Sequence, residues 1–187
     1  KQTELQQLKK QINPHFLFNM LNNANILVKD APDEASQILE KLDNLLRYQL
    51  NDSTRREVFL TADIQFLTSF LELEKVRRDH FEYTIFQEGN MENICIPPLL
   101  FIPFVENAVK HNLDSDNLSY VHLYFSVHNK QLTFRCENSK PRVPVKREGG
   151  IGLANVKRRL DLLYESRYTL QIEDKETTYN VNLHLNL

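Results

Sequence analysis

Val121-His122-Leu123-Tyr124-Phe125-Ser126-Val127-His128-Asn129-Lys130-Gln131-Leu132-Thr133-Phe134-Arg135-Cys136 alternates apolar and polar residues on both sides of an Asn-Lys pair. Period-two alternation marks a strand with one buried face, and the pair between the two runs reads as a hairpin turn. This stretch decides the fold class, because everything before residue 80 reads as helix. Upstream of the hairpin, Phe81, Tyr83 and Ile85 alternate in the same way. Between them Pro97-Pro98 introduces a helix carrying Leu99, Leu100, Ile102, Val105 and Val109. Downstream, residues 139 to 148 lack apolar periodicity and read as a basic, mobile loop. A helix follows from about Ile151 to Glu165, and then Leu170, Ile172, Val181, Leu183, Leu185 and Leu187 supply a closing hairpin. That order of elements fits helices layered on a mixed sheet.

The first part has a different period. Leu5, Leu8, Ile12, Phe16, Met20 and Leu27 make a helical stripe over residues 1 to 29, and Leu17, Leu21 and Val28 make a second. A helix apolar on two sides wants two neighbours, which suggests a bundle. Leu5 and Leu8 have coiled-coil spacing in a polar opening. Pro14 either starts a helix capped by Asn13 or kinks one that runs through; Ile12, in phase across it, favours the kink. Asp30 to Glu34 breaks the pattern and opens a second helix, with Ala35, Ile38, Leu39, Leu42, Leu45, Leu46 and Leu50 facing inward. After a break at Asn51-Asp52-Ser53, a third helix runs from about Ala62 to Asp79, with Ile64, Leu67, Phe70 and Leu71 inward. The expectation is an α+β chain with a helical domain over residues 1–79 and an α/β domain over 80–187.

Composition narrows the function classes. The 187 residues carry a formal net charge of -2, so no bulk field favours nucleic acid or an anionic membrane. Cys95 and Cys136 form neither a disulfide framework nor a metal pattern. The apolar run from Ile94 to Val105 is interrupted by prolines and falls short of the roughly 20 residues a bilayer span needs. Of four glycines, three cluster at Gly149, Gly150 and Gly152, where a backbone has a special task.

Three stretches have residues suited to chemistry. In Gln11-Ile12-Asn13-Pro14-His15-Phe16-Leu17-Phe18-Asn19 a histidine sits on a helical pattern, with Asn19 one turn further along the same face. A lone histidine beside an apolar stripe is more often core, yet this helix also tolerates Asn13, Asn19, Asn22, Asn23 and Asn25, all poor helix formers. In Val105-Glu106-Asn107-Ala108-Val109-Lys110-His111-Asn112, Asn107 and Lys110 share a helix face. An amide oxygen can ligate Mg²⁺ and an ammonium can meet phosphate; a solvated helix end is the plainer alternative. In Glu148-Gly149-Gly150-Ile151-Gly152-Leu153-Ala154-Asn155, glycines precede a helix whose first N–H groups could receive a phosphate. An ordinary loop-to-helix turn is the competing reading, and the Rossmann and Walker spacings are absent.

Taken in order, these stretches resemble the cytoplasmic part of LytS-like sensor histidine kinases. Leu46-Arg47-Tyr48 and Ile96-Pro97-Pro98-Leu99-Leu100 add to the likeness, as does the run on to Arg159-Leu160. The resemblance implies a helical dimerisation and phosphotransfer domain, then an ATP-binding domain of the Bergerat type, an α/β sandwich with helices on one face of its sheet. It implies that His15 accepts the γ-phosphoryl group of ATP, that Asn107 holds Mg²⁺, and that Lys110 contacts phosphate. Gly150, Gly152, Leu153 and Asn155 would shape the phosphate-binding helix start. Glu106 would serve as base or Mg²⁺-shell group, and Asn19 would position a water for dephosphorylating the partner. The implied partners are a second copy of the chain and a response regulator, such as one of the LytTR type. The implied location is cytoplasmic, as part of an inner-membrane sensor whose anchoring segments lie outside this chain.

Two features depart from the pattern. Related kinases carry an Asp-x-Gly-x-Gly box whose aspartate reads the adenine amine. Here Asn138 falls at that position, within Glu137-Asn138-Ser139-Lys140-Pro141, and both glycines are missing. An amide oxygen still accepts a hydrogen bond but without charge assistance. The residue after the histidine, often an acid, is Phe16. The alternative reading is therefore a catalytically silent dimeric scaffold. Lys140, Arg142, Lys146 and Arg147 make the loop between Ser139 and Glu148 either a cover over the triphosphate or a solvated basic segment.

Overall fold

The computed structural model describes residues 14–114, 116–143 and 151–187. The described residues form two compact units: residues 14–79 with 93–99, and residues 80–92 with 100–187.

The first unit has three helices, α1 (Pro14–Leu27), α2 (Pro32–Leu50) and α3 (Leu60–Arg77), with a 3₁₀ turn at Asp52–Thr54. On α1, Met20 and Ala24 are buried one turn apart, and the Phe16 ring stacks on Phe70 of α3 with centroids 4.9 Å apart. The segment that would show a kink before Pro14, with Leu5 and Leu8, lies outside the described residues. Pro32 opens α2 where a missing N–H costs nothing, and Asp33 and Glu34 face the positive end of its dipole. Its buried residues are Ala35, Ile38, Leu42, Leu45 and Tyr48. Leu39 and Leu50, expected inward, are exposed. The buried stripe steps by three and four and is narrow, and these leucines lie beside it. Two strands of two residues each, β1 (Val58–Phe59) and β3 (Cys95–Ile96), pair antiparallel, and the Leu60 N–H donates to the Ile94 carbonyl at 2.8 Å. This ladder ties residues 93–99 to the helices.

The second unit is a five-stranded mixed sheet in the order β2-β4-β5-β7-β6. The strands are β2 (Phe81–Glu88), β4 (Ser119–His128), β5 (Gln131–Ser139), β6 (Tyr168–Asp174) and β7 (Thr178–Asn186). Only the β2–β4 pair is parallel, so it needs a crossover, and α4 (Ile102–His111) lies within that connection. The β4–β5 hairpin turns on Asn129 and Lys130, at φ 48° and 62°, the two left-handed residues a tight hairpin turn requires. At the end of β2, Gly89 has φ 90° and a Cβ there would collide with the Val127 carbonyl, so the position needs glycine.

Alternation sorts the sheet's faces. Val121, Leu123 and Phe125, Leu132, Phe134 and Cys136, and Val181, Leu183 and Leu185 are buried on one side. There Phe101, Phe125 and Phe134 meet with centroids 4.6 to 5.3 Å apart. Helices α4 and α5 (Ile151–Tyr164) add Phe104, Val105, Val156 and Leu160 to the core. The other face is polar and aromatic: Arg135 lies 5.5 Å from the Tyr124 ring and donates through Nε to Asn182 Oδ1 at 2.8 Å. The fold is α+β, as expected. The start of α4 differs: it begins at Ile102, not directly after Pro97-Pro98. Leu99 has φ 58°, which no right-handed helix allows, so the prolines lead into a turn.

Candidate functional site

The helical unit carries His15 and Asn19 on α1, one turn apart, with Asn19 half-buried. No acidic residue stands in the first turn of this helix. Near pH 7 a neutral imidazole is a competent nucleophile without one, since its unperturbed pKa is about 6.5.

In the sheet unit, α4 carries Glu106, Asn107 and Lys110. The apolar residues Phe104, Val105, Ala108 and Val109 anchor this helix to the core, which leaves Glu106 and Asn107 half-buried and Lys110 exposed. Burial pushes the Glu106 carboxyl up to about 7. Near neutrality this group is shared between acid and base forms, which suits proton transfer better than holding a cation. Among the described residues no three His, Cys, Asp or Glu side chains cluster as a metal cage. A Mg²⁺ bound through one amide oxygen and the substrate's phosphates needs no such cage, and Asn107 fits that role.

Asn112, not singled out from sequence, closes α4. It is fully buried; its amide donates to the Tyr120 carbonyl at 3.0 Å, and the Ser119 hydroxyl donates to its own carbonyl at 2.6 Å. The end of α4 is thereby fixed to the start of β4. Beyond it, Asp114 accepts N–H groups from Asp116 at 3.0 Å and Asn117 at 3.2 Å, and the Arg142 N–H lies 3.4 Å from its other oxygen.

Asn138 sits near the end of β5 on the buried face, in phase with Phe134 and Cys136, and is 1% exposed. Its amide nitrogen donates to the Ser139 carbonyl at 2.9 Å. β5 continues through Ser139, whose hydroxyl accepts the Tyr120 N–H at 2.9 Å, so the loop starts later than the sequence suggests. Lys140 is committed elsewhere: its ammonium pairs with Asp174 and donates to the Lys175 carbonyl at 2.6 Å. This removes it from the set of charges free to cover a triphosphate. Gly150, Lys146 and Arg147 lie outside the described residues. Gly152 and Asn155 are exposed in the first turns of α5 and Leu153 is half-buried. A Cβ on Gly152 would meet nothing within 4 Å among the described residues, so that position is open.

The structure therefore places Glu106, Asn107, Lys110, Asn138, Gly152, Leu153 and Asn155 in the sheet unit, and His15 with Asn19 in the helical unit. Asp63 was not singled out from sequence, nor was its buried hydrogen bond with Tyr48, which entered only within Leu46-Arg47-Tyr48. Asp63 keeps step with Phe66, Leu67, Phe70 and Glu74 on α3, and a charge in phase with an apolar face was the available signal.

A family model described as "Histidine kinase" matches residues 3–81. Sensor protein LytS of Staphylococcus haemolyticus is 30% identical over 200 residues, covering 99% of this chain and 34% of that protein. The chain thus spans about a third of the length of this relative. Among solved structures, the histidine kinase domain of the blue-light activated kinase EL346 from Erythrobacter litoralis superposes with a TM-score of 0.55 at 17% identity, covering 99% of this chain and 91% of that one. The histidine kinase ThkA, solved in complex with the response regulator TrrA, gives a TM-score of 0.50 at 16% identity over 84% of this chain and 51% of that one. Residues 3–81 thus match the histidine kinase family, and over nearly its whole length the chain is similar to part of a LytS sensor protein.

Proposed function

We propose that this chain is the ATP-dependent core of a two-component sensor kinase, phosphorylated on His15 and passing the phosphoryl group to an aspartate of a response regulator. In this reading residues 1–79 are the phosphotransfer domain and residues 80–187 the nucleotide domain. The observation that supports it most is the layering of α4, with Asn107 and Lys110 left at its surface, on the sheet face that also holds Asn138. Bound substrate would place its base towards Asn138 and its phosphates towards Lys110 and the start of α5, where helix N–H groups favour an anion. Asn107 would hold Mg²⁺, which supplies neutralisation of phosphate charge. His15 attacks the γ-phosphorus through a ring nitrogen, the bond to the bridging oxygen breaks, and ADP leaves. The imidazole proton is lost to a base, for which Glu106, poised near neutrality, is a candidate.

The relative crystallised with a response regulator supports the regulator as partner. A second copy of the chain fits the exposed Phe18, Leu21 and Ile26 of α1, Val28 just after it, and Leu39 and Leu50 of α2, which pairing into a bundle would cover. Among the described residues no helix is long and apolar enough to cross a membrane. We place the chain on the cytoplasmic side of a membrane sensor.

A second reading, a silent scaffold, draws on the Asn138 amide, which already donates to its own strand. Incubation with labelled ATP and Mg²⁺ separates the two. Acid-labile, base-stable label on the chain is the result expected of the kinase. Failure to bind ATP would favour the scaffold.

A further inference from the structure

The helical unit buries a carboxylate with no part in the chemistry above. Asp63, in the first turn of α3, is 1% exposed. Its Oδ1 accepts the Tyr48 hydroxyl of α2 at 2.5 Å and the Leu99 N–H at 3.3 Å. The Tyr48 ring stacks on Phe66 with centroids 4.7 Å apart, so the hydroxyl is aimed by packing. Burial, then the charge of Asp63, keep that hydroxyl protonated and therefore a donor. Tyr48 and Asp63 thus join α2 to α3, and the second bond reaches a third segment, residues 93–99.

Leu99 is where that segment ends. It is buried, with φ 58°, a left-handed conformation in which a leucine Cβ crowds the following carbonyl. A non-glycine residue keeps such a conformation only where its surroundings over-determine it. Here they are the Asp63 carboxylate on its N–H, the β1–β3 ladder and the Leu60 to Ile94 bond. Pro97 and Pro98 before it stiffen the approach. Helix α4 starts at Ile102, a turn's length later, and carries Glu106, Asn107 and Lys110. A buried ionic group is weak evidence for stability, since well-packed apolar replacements are often neutral or stabilising. A buried carboxylate at a strained turn therefore suggests a role other than stability.

We propose that Asp63, gripped by Tyr48, is a positioning residue for phosphoryl transfer: it fixes the left-handed turn at Leu99 and so sets the start of the helix that carries Asn107 and Lys110. A displacement of α2 against α3 changes the grip on Asp63 and is passed to that turn. The proposal rests on the kinase reading above, but its structural half does not need catalysis to be read.

The test uses the whole chain and three variants. Tyr48→Phe removes the hydroxyl and keeps the stacked ring. Asp63→Ala removes the acceptor. Asp63→Asn keeps an Oδ1 that can accept from both partners. Amide hydrogen exchange should speed up about tenfold at Leu99 and the first turn of α4 in Tyr48→Phe and Asp63→Ala, with Met20 and Ala24 of α1 unchanged. Labelling of His15 at saturating ATP should fall about tenfold, and affinity for a fluorescent ATP analogue should fall by clearly less. Asp63→Asn should restore both readouts towards wild type. Unchanged exchange at Leu99 in Tyr48→Phe overturns the proposal, as does a labelling loss matched by an equal loss of nucleotide affinity. Should Asp63→Ala fail to fold, Tyr48→Phe decides. If the wild-type chain takes no label, the kinase reading fails, and the exchange data alone decide whether Asp63 holds the turn.

Discussion

The sheet unit and the first two helices treat their large apolar side chains in opposite ways. Phe101, Phe125 and Phe134 are fully buried against one another between sheet and helices. On α1 and α2 and the turn between them, Phe18, Leu21, Ile26, Val28, Leu39 and Leu50 are exposed, while α3 buries Asp63 and Glu74. The sheet unit has a core of its own. The helical pair has a narrow core and a second apolar surface, of the kind association covers. One unit closes its core against its own helices; the other leaves large apolar side chains exposed among the described residues.

If that contrast is right, core truncation in the two units should differ most. Phe134→Ala should destabilise the sheet unit by about 3–5 kcal/mol. Ile26→Ser should leave the unfolding midpoint of the dilute chain nearly unchanged but weaken self-association in sedimentation. Equal destabilisation by both would abolish the distinction.

The next largest effect concerns the chemistry of the sheet unit. Asn107→Ala should cut autophosphorylation about 100-fold, a barrier increase of about 2.7 kcal/mol, with thermal stability unchanged. A wild-type rate across a Mg²⁺ titration would remove Asn107 from the site.

On the helical unit, Asn19→Ala should slow dephosphorylation of the regulator about tenfold, about 1.4 kcal/mol, and alter His15 labelling far less. An amide donates and accepts and can hold a water in line with a phosphoaspartate, whereas attack by imidazole needs no water. Equal losses in both reactions would mean that Asn19 supports α1 rather than a water.

The smallest expected effect is a pH dependence in the sheet unit. Burial raises Glu106 from 4.5 to about 7, so between these values the folded state holds a proton that the unfolded chain has lost. Its contribution is fully present below pH 4.5 and declines as pH rises to about 7. Glu106→Gln should flatten that decline by on the order of 1 kcal/mol, allowing for solvent screening of a half-buried group. Denaturant midpoints from pH 5 to 8 read it; parallel curves for both chains would contradict it.

What could be read from the sequence follows the same division. Alternation in β4 and β5 was plain because one face of each strand is buried, and the Asn129-Lys130 turn separated them. The α2 stripe was readable only in part, because Leu39 and Leu50 match a core pattern while facing solvent. β1 and β3, at two residues each, are too short to show a period. The start of α4 was misplaced because Pro97-Pro98 signals a helix start, whereas the left-handed turn at Leu99 has no signature in leucine. Spacing alone put Asn107 and Lys110 on one helix face, but the partners of Asp63 lie 15 and 36 residues away and only folding brings them together. The early start assigned to the loop after β5 came from the basic composition of residues 140–147, which hid the strand residue Ser139 and the tie of Lys140 to Asp174.

The most direct measurement is labelling of the purified chain with γ-labelled ATP and Mg²⁺, for wild type and His15→Gln, with helix content and nucleotide binding measured alongside. The account predicts acid-labile, base-stable label on the wild type and none on His15→Gln, with both chains folded and binding nucleotide alike. Undiminished label on His15→Gln would contradict it.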